Sequence, residues 1–244
     1  MMKLSFLFLF SIASIVSINA QDKAVTNGRE LIKAMNDAYK GKWYRNLTFV
    51  QQTGFYKDGK LEREQIWYEA MNLEKGLVIK FDSLTSANGF IFKNDSQFVY
   101  RDNTVINKAR RVHDLIVLGF SVYFDSPEVT INKIKESGYN IESFRTESNN
   151  GKIEYVVGDP ATSQFWIDAK TLLFVRLQKK QSDGSVSEIK FENYIQLGKA
   201  WIETEVVFYK DGKITMREVY SDIRTPKKLP SNLFKSNDFK SMVW

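Results

Sequence analysis

The sequence predicts a mainly β protein: a meander of about eleven antiparallel strands with two or three helices, in one domain. Three observations lead there. Runs of β-branched and aromatic residues alternate with polar ones over most of the chain. Asp-Gly and Asn-Gly pairs punctuate those runs at 58–59, 150–151, 183–184 and 211–212, and such pairs tolerate the positive φ of tight two-strand turns. The 244 residues contain no linker and no low-complexity stretch, which suits a single all-β domain.

Residues 1–20 read as a cleaved secretory signal peptide. Lys3 precedes an apolar run from Leu4 to about Ile18, and Asn19-Ala20 leads into polar sequence. The run is shorter than the roughly 20 residues a transmembrane helix needs. Residues 21–244 are left as the domain. Its first element is a helix over Asn27–Lys40, with Leu31, Ala34, Met35 and Ala38 on one face, Asn27 and Glu30 spaced as a capping box, and Gly41 as the stop. Strands follow at Leu47–Tyr56, Lys60–Ala70, Gly76–Phe81, Gly89–Lys93 and Gln97–Arg101. The stretch His113–Phe124 breaks the pattern, being apolar on nearly every side. Such a segment must be buried or covered. Ser126, Pro127, Ile131, Ile134 and Gly138 then mark a capped helix. Strands resume at Ile153–Val157, Ser163–Asp168, Leu172–Lys179, Ser185–Tyr194, Ala200–Phe208 and Ile214–Asp222.

The hexapeptide FYKDGK occurs at 55–60 and again at 208–213, yet the flanking sequences do not match. A duplicated unit would carry its neighbours with it. Both copies are therefore predicted to be hairpin turns, one piece of backbone chemistry used twice.

Composition narrows the function. There is no Cys and a single His, His113, so disulfides, thiol nucleophiles and Cys-type zinc sites are excluded and any His-based triad could only use His113. Its apolar context makes it a structural residue, and no catalytic or metal-binding residue is assigned. Glu203 and Glu205, like Glu62 and Glu64, lie two apart on predicted strands and share a face, which is what a solvated outer face looks like. No phosphate loop or calcium loop is present and no cofactor is expected. The net charge is +6, or +5 without Lys3, and the basic residues are scattered among acids. Nucleic-acid binding would need a clustered basic face.

What is abundant is aromatic and branched apolar surface, with 18 Phe, 11 Tyr and 5 Trp. Ile66 with Tyr68, Ile79 with Phe81, Phe90 with Phe92, Ile189 with Phe191, and Val206 with Phe208 each fall on a shared strand face. Two readings are open: a solid core under the helices, or a curved sheet holding an apolar ligand beneath a helical lid. Alternation alone favours the core, because core residues outnumber cavity residues in nearly every fold.

Three stretches resemble the LolA/LolB-like periplasmic lipoprotein carriers. LTFVQQTGFYKDGKLEREQIWYEAMN is similar to that family's opening hairpin, NGFIFKNDSQFVYRDN to its short-turn aromatic hairpin, and YVVGDPATSQFWIDAKTLLFVRLQKKQSDG to its later half. The ending LPSNLFKSNDF is similar to the family's closing signature. The resemblance implies an unclosed antiparallel β-barrel whose open side is plugged by helices, and it reverses the preference for a solid core. Under it, Leu31 and Met35 on the first helix and Leu115, Leu118 and Phe120 in the apolar segment form the lid. The strand residues named above then line the cavity. It further implies a monomeric, non-enzymatic periplasmic carrier of lipoprotein acyl chains or other lipids, working between donor and acceptor proteins of the envelope membranes. The alternative on the same scaffold is a non-transporting sensor or assembly module that uses the cavity as a receptor. One departure stands out. Family carriers have an Arg soon after the opening-hairpin Trp, whereas Trp67 here is followed by YEAMNLEKGLVI, with Met71, Asn72 and Lys75 in that region.

Overall fold

The computed structural model describes residues 25–234 and 238–244; the expected signal peptide lies outside them. Helix α1 (Gly28–Tyr39) starts where Asn27 Oδ1 accepts the Glu30 amide at 2.9 Å. The reciprocal half of the cap falls one residue earlier than a capping box would put it, with Glu30 accepting from the Thr26 amide and hydroxyl. Leu31, Ile32, Met35, Asn36 and Tyr39 form the buried face. Ala34 and Ala38 only flank it.

Five strands then run as successive hairpins: β1 (Asn46–Lys57), β2 (Lys60–Asn72), β3 (Gly76–Phe81), β4 (Gly89–Lys93) and β5 (Ser96–Arg101). A sixth, β6 (Thr104–Arg110), follows a two-residue Asp102-Asn103 turn and is exposed along its whole length. Next come α2 (Asp114–Gly119), a 3-10 turn (Ser121–Tyr123) and α3 (Pro127–Glu136), the last capped by Ser126 with Pro127 in its first turn. The second half consists of β7 (Phe144–Asn149), β8 (Lys152–Gly158), β9 (Ser163–Asp168), β10 (Phe174–Lys180), β11 (Val186–Glu192), β12 (Ile195–Leu197), β13 (Ala200–Ile202), β14 (Glu205–Lys210) and β15 (Lys213–Arg224).

That makes fifteen strands against the expected eleven or so. β6 and β7 have no apolar alternation to announce them, and β12 is only three residues long. The single strand expected over Ala200–Phe208 is broken at Glu203-Thr204 into β13 and β14. The same break corrects the reading of Glu203 and Glu205 as neighbours on one face. Glu203 is buried, whereas Glu205 is paired with Arg217 at the surface.

Thirteen strands form one antiparallel sheet in the order β6-β5-β4-β3-β2-β1-β15-β14-β11-β10-β9-β8-β7, and β12 and β13 pair separately. The sheet does not close into a barrel. Its two edges, β6 and β7, are consecutive in the chain, and the segment joining them carries α2, the 3-10 turn and α3, which cover the inner face with α1. Asn36 fixes α1 to this segment by donating to the carbonyls of Val122 and Asp125 at 3.2 and 2.7 Å. Trp43 stacks on Tyr123 at 4.0 Å, and the Tyr123 hydroxyl accepts from the Phe174 amide at 2.9 Å, tying the helices to the sheet.

Both FYKDGK copies are hairpin turns. Asp58 and Gly59 have φ of 49° and 76°, and Asp211 and Gly212 have 50° and 75°, which is the two-residue geometry with positive φ at both central positions. Each copy also carries a register shift between its Phe and its Tyr. Because β1 pairs with β15, the two hairpins lie side by side in the middle of the sheet.

The outer face is covered over part of its area by the C-terminal segment. Leu233, Phe234, Phe239 and Met242 pack on Ala70, Val78, Ile91 and Tyr100, forming a second, smaller core.

Candidate functional site

Between the inner face of the sheet and α2 lies a cavity of about 310 Å³, within the usual range for small-molecule sites. Its sheet wall alternates as strand geometry requires: Phe49 and Gln51 from β1; Trp67, Glu69 and Met71 from β2; Leu77 and Ile79 from β3; Phe90 and Phe92 from β4. Beyond β1 the wall continues with Met216, Glu218 and Tyr220 from β15, Phe208 from β14, and Ile189 and Phe191 from β11. His113, Leu115, Ile116 and Phe120 close it from the helical side. A larger concavity of about 830 Å³ on the β8–β11 half is lined mainly by polar and charged side chains such as Lys152, Asp168, Arg176 and Glu192.

Of the fifteen residues predicted for the site, the structure brings eight to the cavity wall: Ile79, Phe90, Phe92, Leu115, Phe120, Ile189, Phe191 and Phe208; Phe81 lies behind it, its ring 5.2 Å from Trp67 and 5.1 Å from Phe90. Leu31, Met35, Leu118 and Val206 are almost fully buried in the main core and do not line the cavity. Ile66 and Tyr68 belong on the other face. Their parity on β2 is opposite to that of Trp67, Glu69 and Met71; Ile66 is 36% exposed, and Tyr68 lies with Leu229 and Trp244 on the outer side. The error has a simple cause. β2 is apolar on both faces near its end, since the outer one is covered by the C-terminal segment, so the apolar pair alone does not say which face is inward.

α2 divides its apolar surface between two partners. Leu118 sits in the core, while Leu115 and Ile116 stay half-buried against the cavity. Gly119, which on helix propensity alone would loosen this helix, has a different role. A Cβ there would lie 2.5 Å from Phe191 Cε2, so the missing side chain lets the helix backbone rest on the Phe191 ring. His113 meets the Phe92 ring edge-on at 4.8 Å, and burial, followed by the positive charges of Arg111 and Lys179, pushes its pKa down to about 3. Its Nδ1 has no hydrogen-bond partner among the described residues. A neutral, weakly basic imidazole packed on an aromatic ring is what a structural histidine looks like.

Sequence reasoning missed the polar part of the wall. Glu69 and Glu218 occupy inward slots on β2 and β15, with Gln51 between them on β1 and Tyr220 beside them. Burial raises both carboxyls, Glu218 to about 8, and for Glu69 the negative charges of Glu218 and Glu203 add to the rise. Tyr220 donates to Glu218 at 3.4 Å, and Gln51 Nε2 donates to Thr53 at 2.8 Å. The available signal was a glutamate in the inward register of an otherwise apolar strand face.

The comparisons with solved structures bear on this arrangement. A LolA superfamily protein from Nitrosomonas europaea aligns with a TM-score of 0.56 at 12% identity, over 87% of this chain and 99% of that one. The chain has the LolA-like fold. A domain from Vibrio parahaemolyticus named for outer membrane lipoprotein sorting matches this LolA-like chain with a TM-score of 0.56 at 18% identity, over 87% of this chain and 98% of the other. A DUF1329 family protein from Desulfovibrio piger gives 0.61 at 11% identity, over 85% and 95%. No family model and no curated protein sequence matches this chain. Among the described residues no helix is long and apolar enough to cross a membrane.

Proposed function

We propose that this LolA-like protein is a periplasmic carrier that takes up acyl chains of lipoproteins or other lipids in the cavity under α2 and moves them between envelope membranes. One observation carries the reading. Part of the inner face of the sheet, under α2, is left unfilled by side chains, and the wall there, with Trp67, Met71, Ile79, Phe90, Phe92 and Phe208, is predominantly apolar. The name of the Vibrio parahaemolyticus domain supports the class of cargo. Export through a cleaved signal peptide, a monomeric state and docking to donor and acceptor proteins belong to the same proposal. No catalytic step is part of it, because His113 is neutral and packed against Phe92.

Native mass spectrometry of the gently purified protein tests the reading. A mass increment that disappears on organic extraction is the expected result; protein that is free of lipid and takes none up from vesicles would refute it. Movement of a fluorescent lipid from donor to acceptor vesicles then separates a carrier from a receptor that only holds its ligand.

A further inference from the structure

Within an otherwise greasy cavity, the three central strands β2, β1 and β15 place Glu69, Gln51 and Glu218 among apolar neighbours such as Phe49, Trp67, Met71 and Met216. Glu69 is 4% exposed, lines the cavity, and has no hydrogen-bond or ion-pair partner among the described residues. Unlike Glu203 Oε1, which is sealed in the core without a partner, the Glu69 carboxyl opens on the cavity, where a ligand can supply the interaction it lacks. Glu218, also buried, lines the same wall, and a third buried carboxyl, Glu203, lies close enough to repel both. The cavity wall contains no lysine. Its one arginine, Arg111, is exposed and donates to Gln97 at 2.7 Å. On the helical side Asp114 is already paired with Lys179 at 2.7 Å, and His113 is neutral.

We propose that Glu69 and Glu218, with Gln51 and Tyr220, receive the ammonium head group of a single-chain amine amphiphile whose hydrocarbon lies along the apolar wall. This rests on the reading of the cavity as an acyl-chain site and adds the chemical class of the head group. Charge decides the class. An ammonium that displaces the protons of these carboxyls relieves the desolvation of ionised Glu69 and its repulsion from Glu218 and Glu203 together, whereas a ligand carboxylate can meet them only in their neutral form and gains no charge pairing. A metal ion fits less well, since among the described residues no three acidic or His side chains are close enough to ligate one. An ammonium donates three hydrogen bonds in directions that its rotation adjusts, which suits acceptors spread over three strands. The Trp67 ring in the same wall offers a further favourable surface for the cation.

The test compares dodecylamine, dodecanol and dodecanoic acid on the delipidated full-length protein, by calorimetry. Dodecylamine is expected to bind about tenfold more tightly than dodecanol. That advantage should grow between about pH 6 and about pH 8, as the amine, still protonated, displaces protons from carboxyls such as Glu218, whose pKa is about 8. It should vanish in Glu69→Gln and Glu218→Gln, while dodecanol affinity stays within about twofold. Equal affinity for amine and alcohol in the wild type, which needs no variant to fold, would overturn the head-group assignment and leave the carrier reading standing. So would an advantage that survives in both variants, or tighter binding of the acid. If none of the three binds at any pH, the carrier reading falls and the head-group assignment falls with it.

Discussion

The side-chain nitrogen of Lys80 lies 2.7 Å from the main-chain carbonyl of Phe239, 159 residues further on. It also donates to the carbonyls of Ser86 and Lys240 at 3.1 and 3.4 Å, and sits 4.6 Å from the Phe239 ring centre. A lysine with no exposed surface is thereby the tether for the C-terminal segment on the outer face. Its burial lowers its pKa from 10.5 to about 8. Between those values the unfolded chain holds a proton that the folded one has released. This group therefore makes stability rise as pH climbs from about 8 towards 10.5. Urea melts across that range should show the rise in the wild type and lose it in Lys80→Met.

Removing the tether's far end should be more damaging. Truncation before Leu233 takes away Leu233, Phe234, Phe239 and Met242, all buried, and bares Ala70, Val78, Ile91 and Tyr100. At about 1.5–3 kcal/mol for each large buried side chain, the loss should be several kcal/mol. A shift of the urea midpoint by less than about 1 kcal/mol equivalent would mean that the segment is a loose cover.

Glu218 gives the opposite pH response. Its folded pKa of about 8 lies above the usual 4.5, so the folded state keeps a proton that the unfolded chain gives up in that window. The contribution of the neutral carboxyl is complete below about pH 4.5 and is lost as pH rises through about 8, on the order of a few kcal/mol. Glu69 acts in the same direction. In Glu218→Gln the decline should flatten, and melts at a series of pH values measure it.

Gly119→Ala separates helix propensity from packing. Propensity alone predicts a gain of about 1 kcal/mol. The 2.5 Å approach of the new Cβ to Phe191 predicts a net loss instead, about 1–3 kcal/mol, because the Phe191 ring is itself buried against Phe174. A stabilised variant would show that the Phe191 ring yields freely and that α2 is not seated on it.

The two faces of α2 predict two phenotypes. Leu118→Glu puts a charge into the main core and should collapse the urea midpoint. Leu115→Glu, on the half-buried cavity side, should weaken binding of a fluorescent fatty acid more than it weakens folding. Equal losses in both assays for Leu115→Glu would make the segment ordinary core.

The hairpins were the most legible part of the sequence. Asp-Gly at 58–59 and 211–212 and Asn-Gly at 150–151 encode positive φ directly, so turn chemistry placed those strand ends before any packing was known. Asn94-Asp95 and Asp102-Asn103 do the same with weaker residues, and the second of these introduced a strand that was not anticipated. β6 and β7 escaped notice because edge strands need no buried face: TVINKAR and FRTESN present little that alternates. Within the site, alternation put Ile79 with Phe81 and Phe90 with Phe92 on shared faces, the resemblance made those faces a cavity wall, and the assignment failed for Ile66 and Tyr68 because a distant segment buries the opposite face of β2. Glu69 and Glu218 were legible only as exceptions to an apolar register, and which wall they face depends on the pairing of β1 with β15.

Loop-closure entropy makes that pairing the slow step expected in assembly. Every other neighbour relation in the large sheet joins strands close in sequence, so residues 46–110 and 144–210 can each zip locally, hairpin by hairpin. The register of Phe55 with Met216 alone closes a loop on the order of 160 residues, an entropy barrier of about 4–5 kcal/mol before any contact repays it. The seam between β1 and β15 is also where Gln51 meets Tyr220 and Thr53 meets Glu218. Until the last long strand arrives, the two half-sheets hold separate parts of the ligand wall. The cavity wall draws on both half-sheets, so it is complete only once β1 and β15 have paired.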